Sequence, residues 1–313
     1  MDRIIAALLS PEFLGHSLRF ATPLMLAAMG AVVNERSGVL NLGLDGMMLV
    51  GAFAGFTGAY YTGNPWMGVL LAVVVCMLMA MVHAFASITL VLNQVIVAVA
   101  INIFSLGITS SLLRLLYGRR TEALRCPGFA PVNWPDFLVN IPYIGVIFFR
   151  QTMFTYIALL AVPFLWWVFF KTTWGLKLRA VGEYPKAAAT MGVNVAKVRY
   201  LALLWAGGMA GLAGASLSIT VLRTFIDDMT AGRGFIAFAT VIFGRFHPIG
   251  AAFGALFFGM ATGLQLRAQA IGLQIPYQLL IMFPYIITIV LLVSLGKGSV
   301  PANWGEPYYP NEE

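Results

Sequence analysis

The chain carries few charges, histidines and cysteines for its length, and each shortage excludes a class of protein. Only 10% of its 313 residues are charged, whereas a soluble globular domain carries roughly 25%. Its three histidines and two cysteines lie far apart, so they form no paired-cysteine metal box, and both thiols are expected to be free. The signatures of phosphate-binding loops, zinc hydrolases and serine hydrolases are absent too. A soluble fold is therefore excluded, and so is ATP hydrolysis by this chain.

Hydrophobic residues are abundant instead, at 60% of the chain with a mean hydropathy of +0.87. A helix needs about 20 mostly apolar residues to cross the hydrocarbon core of a membrane. Nine runs stand out: 14–33, 44–61, 66–91, 94–117, 153–170, 200–222, 234–244, 249–267 and 277–295. The seventh is too short to span the membrane alone. The sequence predicts an all-α transmembrane bundle of about 8–10 spanning segments, with short broken or re-entrant helices, in one domain over 1–313.

The net charge of +7 resides in the gaps between apolar runs, where cations meet lipid headgroups, and not in a nucleic-acid surface. The linker 171–199 holds six lysines and arginines against the single acid Glu183, which predicts a cytoplasmic loop. Counting spanning segments outward from this linker places the loop 118–152 outside, although its four arginines weaken the difference in positive charge between the two loops. The amino terminus is then outside, and the polar tail 296–313 is inside, although an extra amino-terminal segment or a re-entrant seventh segment would reverse one of these ends.

Small residues recur at helical spacing in two of the runs. Gly207 and Gly211 are four apart, and Ala251, Ala255, Gly259 and Gly263 form one continuous small face. Because burying leucine away from lipid gains little, helices in membranes associate through such faces. The pattern predicts close helix packing and indicates no function.

Polar side chains at membrane depth are the candidates for function. Asp45 precedes a long apolar run, and a carboxylate at the centre of a spanning helix costs about 3 kcal/mol. Gln94, Ala98, Asn102 and Ser105 share one helix face. This stripe is consistent with a water-filled path for a polar solute and equally with hydrogen bonds between helices, and Asp45 is open to both a structural and a functional interpretation.

Two stretches are interrupted by glycine in the same way, SGVLNLGLDG at 37–46 and GRGFIAFATVIFGRFHPIG at 232–250. Interrupted segments in matching halves of a chain indicate a midplane site in transporters built from repeats. A weak internal repeat with such a site is therefore a hypothesis.

Within the linker, the sequence YPKAAATMGV predicts a short helix that follows its proline and lies at the membrane surface. Arg179 and Glu183 are four residues apart, so they are spaced to pair across one turn or to reach a partner.

Four stretches resemble one family in order and spacing: ERSGVLNLGLDGMMLVGAF (35–53), LNQVIVAVAIN (92–102), TWGLKLRAVGEYPKAAATMGV (173–193) and GRGFIAFATVIFGRFHPIGAAFGALFFG (232–259). They are similar to bacterial ABC-importer permeases of the branched-chain amino acid, simple sugar and nucleoside group, and most like the nucleoside-type branch. Asp45 stands where that branch usually has glutamate.

The resemblance implies a permease subunit in the bacterial cytoplasmic membrane that pairs with a second, related permease or with its own copy. Two cytoplasmic ATPases would bind ATP and Mg²⁺, an external solute-binding protein would deliver the cargo, and this chain would hold no cofactor. Asn41, Asp45, Gln94, Asn102 and Ser105 are the expected solute-pathway residues. The expected ATPase-coupling residues are Arg179, Glu183, Lys186, Ala187, Ala188 and Gly192. Lys186 replaces the glutamate of the coupling motif, and no Leu-Pro follows it at the usual distance.

The expected cargo is a small polar solute, with a purine nucleoside favoured and a simple sugar as the alternative. An ion-coupled secondary transporter usually needs several acids within the membrane, and Asp45 is the one good candidate. A membrane enzyme would need a clustered acid–base or metal set, and a channel would need a filter; neither is evident in the sequence.

Overall fold

The computed structural model describes residues 10–118, 124–270, 282, 286 and 300–309, which form helices joined by mostly short loops. The α-helices of this part are α1 Pro11–Arg36, α2 Leu44–Thr62, α3 Pro65–Ala84, α4 Gln94–Tyr117, α5 Asp136–Val139, α6 Met153–Lys171, α7 Thr173–Glu183, α8 Pro185–Thr190, α9 Val195–Ala215, α10 Arg233–Phe243 and α11 Pro248–Ala270. The π-helical turns π1 Phe85–Thr89 and π3 Ser216–Val221 extend α3 and α9, and π2 Gly145–Phe149 precedes α6.

The all-α polytopic bundle predicted from the sequence is confirmed. Eight of the nine predicted runs correspond to helices, and the ninth, 277–295, lies almost wholly outside the described residues. Six of the described helices are long and apolar enough to cross a membrane. Large apolar side chains such as Leu78 (58% exposed) and Ile96 (68%) point away from the protein, as lipid-facing residues do. The chain is therefore a multi-pass membrane protein.

Local sequence explains where the helices begin and end. Asn64 and Asn93 precede α3 and α4, and each accepts a hydrogen bond from a backbone N–H of the first turn (3.0 Å in both cases). Gly63 ends α2 with a φ of 69°, a left-handed conformation that glycine adopts without strain. These signals fix a tight turn between α2 and α3, so the two helices pack as an antiparallel pair.

Glycine and alanine hold α2, α3 and α9 together, as the small-residue pattern predicts. A Cβ atom added to Gly211 would lie 2.6 Å from the carbonyl oxygen of Ala72, and one added to Gly51 would lie 2.9 Å from Cys76 Sγ. Since real Cβ atoms do not approach this closely, the three backbones touch where these glycines lie.

A second group of helices, α1, α10 and α11, packs against the first. Gly259 of α11 faces α1, where a Cβ atom would lie 2.6 Å from the carbonyl oxygen of Ser17. Gly30 of α1 faces α9 in the same way, 2.9 Å from Met209 Cβ. α1 thus connects the second group to the first and is buried along most of its length.

The short helix α10 is too short to cross the membrane alone. Its 11 residues give a length of about 16 Å, roughly half of the ~30 Å hydrocarbon thickness. The preceding residues 222–232 are non-helical. The loop after α10 lies beside the end of α1, because Arg36 Nε donates to the carbonyl oxygen of Phe246 (3.0 Å). The prediction of a short, interrupted seventh segment is confirmed.

The linker and the carboxyl-terminal residues lie at one end of the bundle, which we call the linker end. Asn303 N–H donates to the carbonyl oxygen of Gly182 (3.0 Å) at the end of α7. At the opposite end, Arg267 donates to Ser10 Oγ (2.9 Å) beside the start of α1. The side of the membrane that each end faces stays a prediction.

Candidate functional site

The segment between α1 and α2, residues 37–43, is non-helical and enters the bundle from the linker end. Its backbone is bound by side chains of α4. Gln94 Oε1 accepts from the Leu40 N–H (2.7 Å), and Asn102 Nδ2 donates to the Leu42 carbonyl (3.0 Å). Asn102 Oδ1 also accepts from the Gly46 N–H (2.8 Å). Broken backbone at membrane depth needs such partners, so these two residues of the predicted polar stripe stabilise the interrupted segment.

The interrupted segment reaches well into the helix bundle. Asn102 follows Gln94 by eight positions on α4, which corresponds to about 12 Å along the helix axis. Because Asn102 binds Gly46 in the first turn of α2, that helix begins at this depth. Both stretches that the sequence marks as interrupted are therefore helices that start inside the bundle.

The two interrupted stretches meet at Asp45. Its Oδ1 accepts from the Gly234 N–H (2.7 Å), and its Oδ2 accepts from the Thr230 hydroxyl (3.2 Å). Asp45 lies in the first turn of α2 and also binds the first turn of α10, where unpaired N–H groups favour a negative charge. The carboxylate thus joins the starts of two helices that begin inside the bundle, which is the juxtaposition that the repeat hypothesis requires.

Gly234 permits this junction because it has no side chain. A Cβ atom there would overlap the backbone of Asp45 and lie 2.7 Å from the Asp45 Cβ. On the other side of α2, a Cβ at Gly46 would lie 2.8 Å from Ser105 Oγ. The start of α2 is therefore enclosed between α10 and α4 by two glycines.

The other two predicted pathway residues lie close by. Asn41 Oδ1 accepts from the Gly43 N–H (3.0 Å) within the interrupted segment. Ser105 is buried, and in the described part of the chain its hydroxyl has no hydrogen-bond partner. The structure thus brings Asn41, Asp45, Gln94, Asn102 and Ser105 to one region, and their contact with a solute stays a prediction.

Two residues of this region were not singled out from the sequence. Thr230 binds Asp45, and Glu35 is fully buried at the end of α1. Glu35 Oε1 accepts from the Asn41 N–H (3.0 Å) and from Asn34 Nδ2 (3.1 Å), and Oε2 accepts from the Trp304 indole N–H. An acid that closes an apolar helix directly before a glycine-interrupted stretch was the available signal for Glu35.

Further charged residues lie on one side of the junction at Asp45. Asp227 and Asp228 are exposed on the loop before α10, and Arg233 donates to the carbonyl oxygens of Met229 (2.7 Å) and Thr230 (3.2 Å). Among the described residues, no group of three or more His, Cys, Asp or Glu side chains is arranged to hold a metal ion. The region offers carboxylate, amide and hydroxyl oxygens, which suit hydrogen bonds to a polar solute.

The predicted coupling residues occupy two helices at the linker end. Glu183 pairs with Arg36 (3.4 Å), and this is the one ion pair among the described residues. Of the two alternatives that the sequence left open for Arg179 and Glu183, the pair across one turn is therefore not formed, and contact with a partner stays a prediction. Arg179 lies instead over the ring of Phe170 (5.1 Å), and that ring also stacks on His247 (5.1 Å). Burial and the nearby Arg36 lower the pKa of His247.

The surface helix predicted within the linker is α8. Lys186 and Ala187 are exposed on it, whereas Ala188 is buried against the bundle. Gly192 follows the helix with a φ of 81°, and nothing lies within 4 Å of where its Cβ would be. Glycine at this position therefore permits the left-handed backbone conformation that ends α8. The space around Gly192 is open to a partner.

Comparison with known proteins identifies the family. The family described as branched-chain amino acid transport system / permease component matches residues 13–293. The chain is 39% identical over 303 residues to the guanosine ABC transporter permease protein NupQ of Bacillus subtilis, covering 93% of this chain and 94% of NupQ. It is 43% identical over 263 residues to the putative glucose ABC transporter permease protein TsgC13 of Haloferax volcanii, covering 83% and 78%.

A more distant relative is the guanosine ABC transporter permease protein NupP of Bacillus subtilis, 26% identical over 268 residues, which cover 82% of this chain and 73% of NupP. No solved structure matches the chain. The family match covers all the described spanning helices almost completely, including the interrupted segments that meet at Asp45. The chain thus belongs to the family of permease components that includes those of branched-chain amino acid transport systems.

Proposed function

We propose that this chain forms half of the translocation pathway of an ABC importer for a purine nucleoside. The observation that carries the proposal is the junction at Asp45, where two helices begin inside the membrane and direct polar groups to one place. Transporters position solute sites at such discontinuous helices, because their free backbone groups replace the water that a polar solute loses. Asn41, Asp45, Gln94, Asn102 and Ser105 are the proposed pathway residues.

A second permease subunit would complete the pathway. Asp227 and Asp228 are exposed beside the junction, together with the apolar side chains of Ile226 and Phe235. A charge facing lipid near the membrane centre costs about 2.5–3.5 kcal/mol, so this face needs protein or water against it. The chain resembles two guanosine permeases of one organism, NupQ and NupP, which supports a pair of related but different subunits.

ATP binding and hydrolysis would take place on separate ATPase subunits, which hold ATP and Mg²⁺, at the linker end. The exposed surface of α8 and the following turn, with Lys186, Ala187 and Gly192, is the proposed docking site within the coupling loop 171–199. This orientation places the linker and the tail 296–313 in the cytoplasm of a bacterium, and the loop 118–152 outside its inner membrane, where a solute-binding protein delivers cargo.

The relatives support two classes of cargo. NupQ is a guanosine permease and shares the greater length with this chain, whereas TsgC13 is a putative glucose permease of slightly higher identity. We favour the nucleoside because the alignment with NupQ extends over nearly the whole of both chains.

The test is purification of the tagged chain from its native membranes, followed by reconstitution of the recovered complex, with its solute-binding protein, in proteoliposomes. Mass spectrometry identifies the associated proteins, and uptake of radiolabelled guanosine is compared with that of glucose, each with and without ATP in the ATPase compartment. We expect an ATPase and a second permease to co-purify, and guanosine uptake to need ATP.

ATP-dependent uptake of glucose and not guanosine would replace the nucleoside with the sugar. Uptake by the chain alone, driven by an ion gradient without ATP, would overturn the importer and indicate a secondary transporter. A variant of the co-purified ATPase that cannot hydrolyse ATP is the matched control.

A further inference from the structure

The carboxyl-terminal residues 301–306 cross the linker end of the bundle and contact three elements that are separate in the chain. Asn303 N–H donates to the Gly182 carbonyl at the end of α7 (3.0 Å), and Ala302 N–H donates to Glu183 Oε2 (3.1 Å). Gly305 N–H donates to the Gly38 carbonyl of the interrupted segment (2.9 Å). This short segment, which we call the carboxyl-terminal strap, therefore connects the linker to the segment that leads to Asp45.

Arg199 anchors the strap to α9. Its Nη2 donates to Asn303 Oδ1 (2.9 Å), and its Nε donates to the Ser37 carbonyl (3.3 Å). Arg199 is only 2% exposed, so its side chain is confined to few conformations. The same guanidinium thus binds both the strap and the first residue of the interrupted segment.

Trp304 is the central side chain of the strap. Its indole N–H donates to the buried carboxylate of Glu35, while its ring packs on Phe246 (centroids 5.6 Å apart) and on Phe238 of α10 (6.2 Å). Trp304 therefore contacts α1 through a hydrogen bond and α10 through its ring. Both of these elements lead to the Asp45 junction.

The hydrogen bonds form a continuous connection from the linker to the junction. It passes from Gly182 through the strap to Glu35, and from Glu35 Oε1 to the Asn41 N–H (3.0 Å). Asn41 Oδ1 then holds Gly43, two residues before Asp45. Backbone groups and buried side chains make these bonds, so the linker and the junction are joined by one contiguous network.

We infer that Trp304 and Glu35 are positioning residues that transmit movement of the linker to the helix junction at Asp45. This inference rests on the proposed function, in which ATPases move the linker. Neither residue needs to touch the solute. Their effect is on how much solute enters for each ATP that is hydrolysed.

Trp304→Phe is the most informative change, because phenylalanine keeps a ring against Phe246 and Phe238 but donates no hydrogen bond. In proteoliposomes we expect ATP hydrolysis to remain within about twofold of wild type and guanosine uptake per ATP to fall about tenfold, the effect of losing one buried hydrogen bond. Tyr309→Ala is the matched control, since Tyr309 is an exposed aromatic residue of the same terminal region.

A double-mutant cycle separates this role from general stabilisation. Glu35→Gln exchanges one acceptor oxygen for a donor nitrogen, so it disturbs the same connection. If the two residues act through one hydrogen bond, Trp304→Phe with Glu35→Gln lowers uptake per ATP no further than the stronger single change does. Wild-type uptake per ATP in both single variants, or multiplicative losses in the double variant, would overturn the inference.

A second measurement requires no transport. A cysteine at Asp228, exposed beside the junction, reports the junction through its rate of reaction with a water-soluble maleimide. We expect Trp304→Phe to change that rate at least threefold in the purified complex, with Tyr309→Ala leaving it unchanged. An unchanged rate contradicts the strap's role even if the cargo is not a nucleoside, whereas a changed rate without ATP-dependent uptake contradicts the proposed function alone.

Discussion

At the scale of single residues, one carboxylate and one glycine determine whether the two interrupted helices meet. Asp45 receives hydrogen bonds from Gly234 and Thr230, and Gly234 approaches the Asp45 backbone because it lacks a Cβ atom. The sequence indicated that the Asp45 carboxylate is costly in a membrane, but it did not identify the groups whose hydrogen bonds offset that cost. Its partners are about 185 residues away in the chain, beyond the reach of local patterns.

Asp45→Asn and Asp45→Ala differ in what they keep. Asparagine retains one acceptor oxygen for the Gly234 N–H, whereas alanine leaves the start of α10 uncapped, which costs about 0.5–2 kcal/mol. We expect Asp45→Asn to assemble with a thermal midpoint close to wild type, and Asp45→Ala to unfold at a lower temperature and to lose uptake. Thermal unfolding of the detergent-solubilised complex, followed by fluorescence, measures the difference. Equal midpoints for the two variants would show that Asp45 is not a cap.

Gly234→Ala introduces a methyl group where Asp45 already lies. Overpacking of this kind costs about 1–3 kcal/mol, so we expect a lower thermal midpoint and loss of uptake. Gly107→Ala is the control, because Gly107 lies on α4 with nothing within 4 Å of its Cβ position. The measurement is uptake of each variant in vesicles, corrected for the amount of protein. A fully active Gly234→Ala variant would contradict the close approach of Gly234 to the Asp45 backbone.

At the scale of elements, hydropathy was sufficient to predict the long apolar helices. Apolar runs identified eight of them, and the glycine interruptions identified the two that start inside the bundle. The linker was harder, because charged side chains have many partners to choose from: Glu183 pairs with Arg36 at the end of α1 instead of with Arg179 on its own helix. Tertiary contacts outweigh the few tenths of a kcal/mol that a one-turn pair supplies.

The turn after α8 offers a test of the coupling role. Gly192 has a φ of 81° and open space around its Cβ position, so alanine there strains the backbone without a clash, at about 1 kcal/mol. We expect Gly192→Ala to reorient the docking surface, lowering ATP-driven uptake while ATP hydrolysis and assembly persist.

Gly63→Ala is a matched control for this change, because Gly63 has a φ of 69° and equally open surroundings at the opposite end of the bundle. It suffers the same backbone strain far from the linker. Equal loss of uptake in the two variants would assign the effect to strain and not to coupling.

At the scale of the whole molecule, the sequence predicted an all-α bundle of spanning helices but not how the helices are grouped. Glycine contacts join α2, α3 and α9 into one group, and α1 connects these to α10 and α11. Small-residue faces show that a helix packs closely, yet they do not specify its neighbour, since any small face complements another.

Orientation in the membrane is testable with two single cysteines. Asn133→Cys and Lys186→Cys place exposed thiols on the loop 118–152 and on α8, whereas the native Cys76 and Cys126 are buried. In right-side-out vesicles we expect an impermeant maleimide to label position 133 only, and permeabilisation to add position 186. The reverse pattern would invert the proposed topology and place the linker outside.

The shortness of α10 makes it a lever. It is about 16 Å long, its far end lies beside Arg36 and Trp304, and its near end is held by Asp45. A tilt of about 10° around the far end displaces the near end by about 3 Å, enough to separate a hydrogen-bonded pair. A helix that spans the whole membrane would be held by contacts at both membrane surfaces. In the proposed importer, we expect a small tilt of this half-length helix at the linker end to open the centre of the bundle.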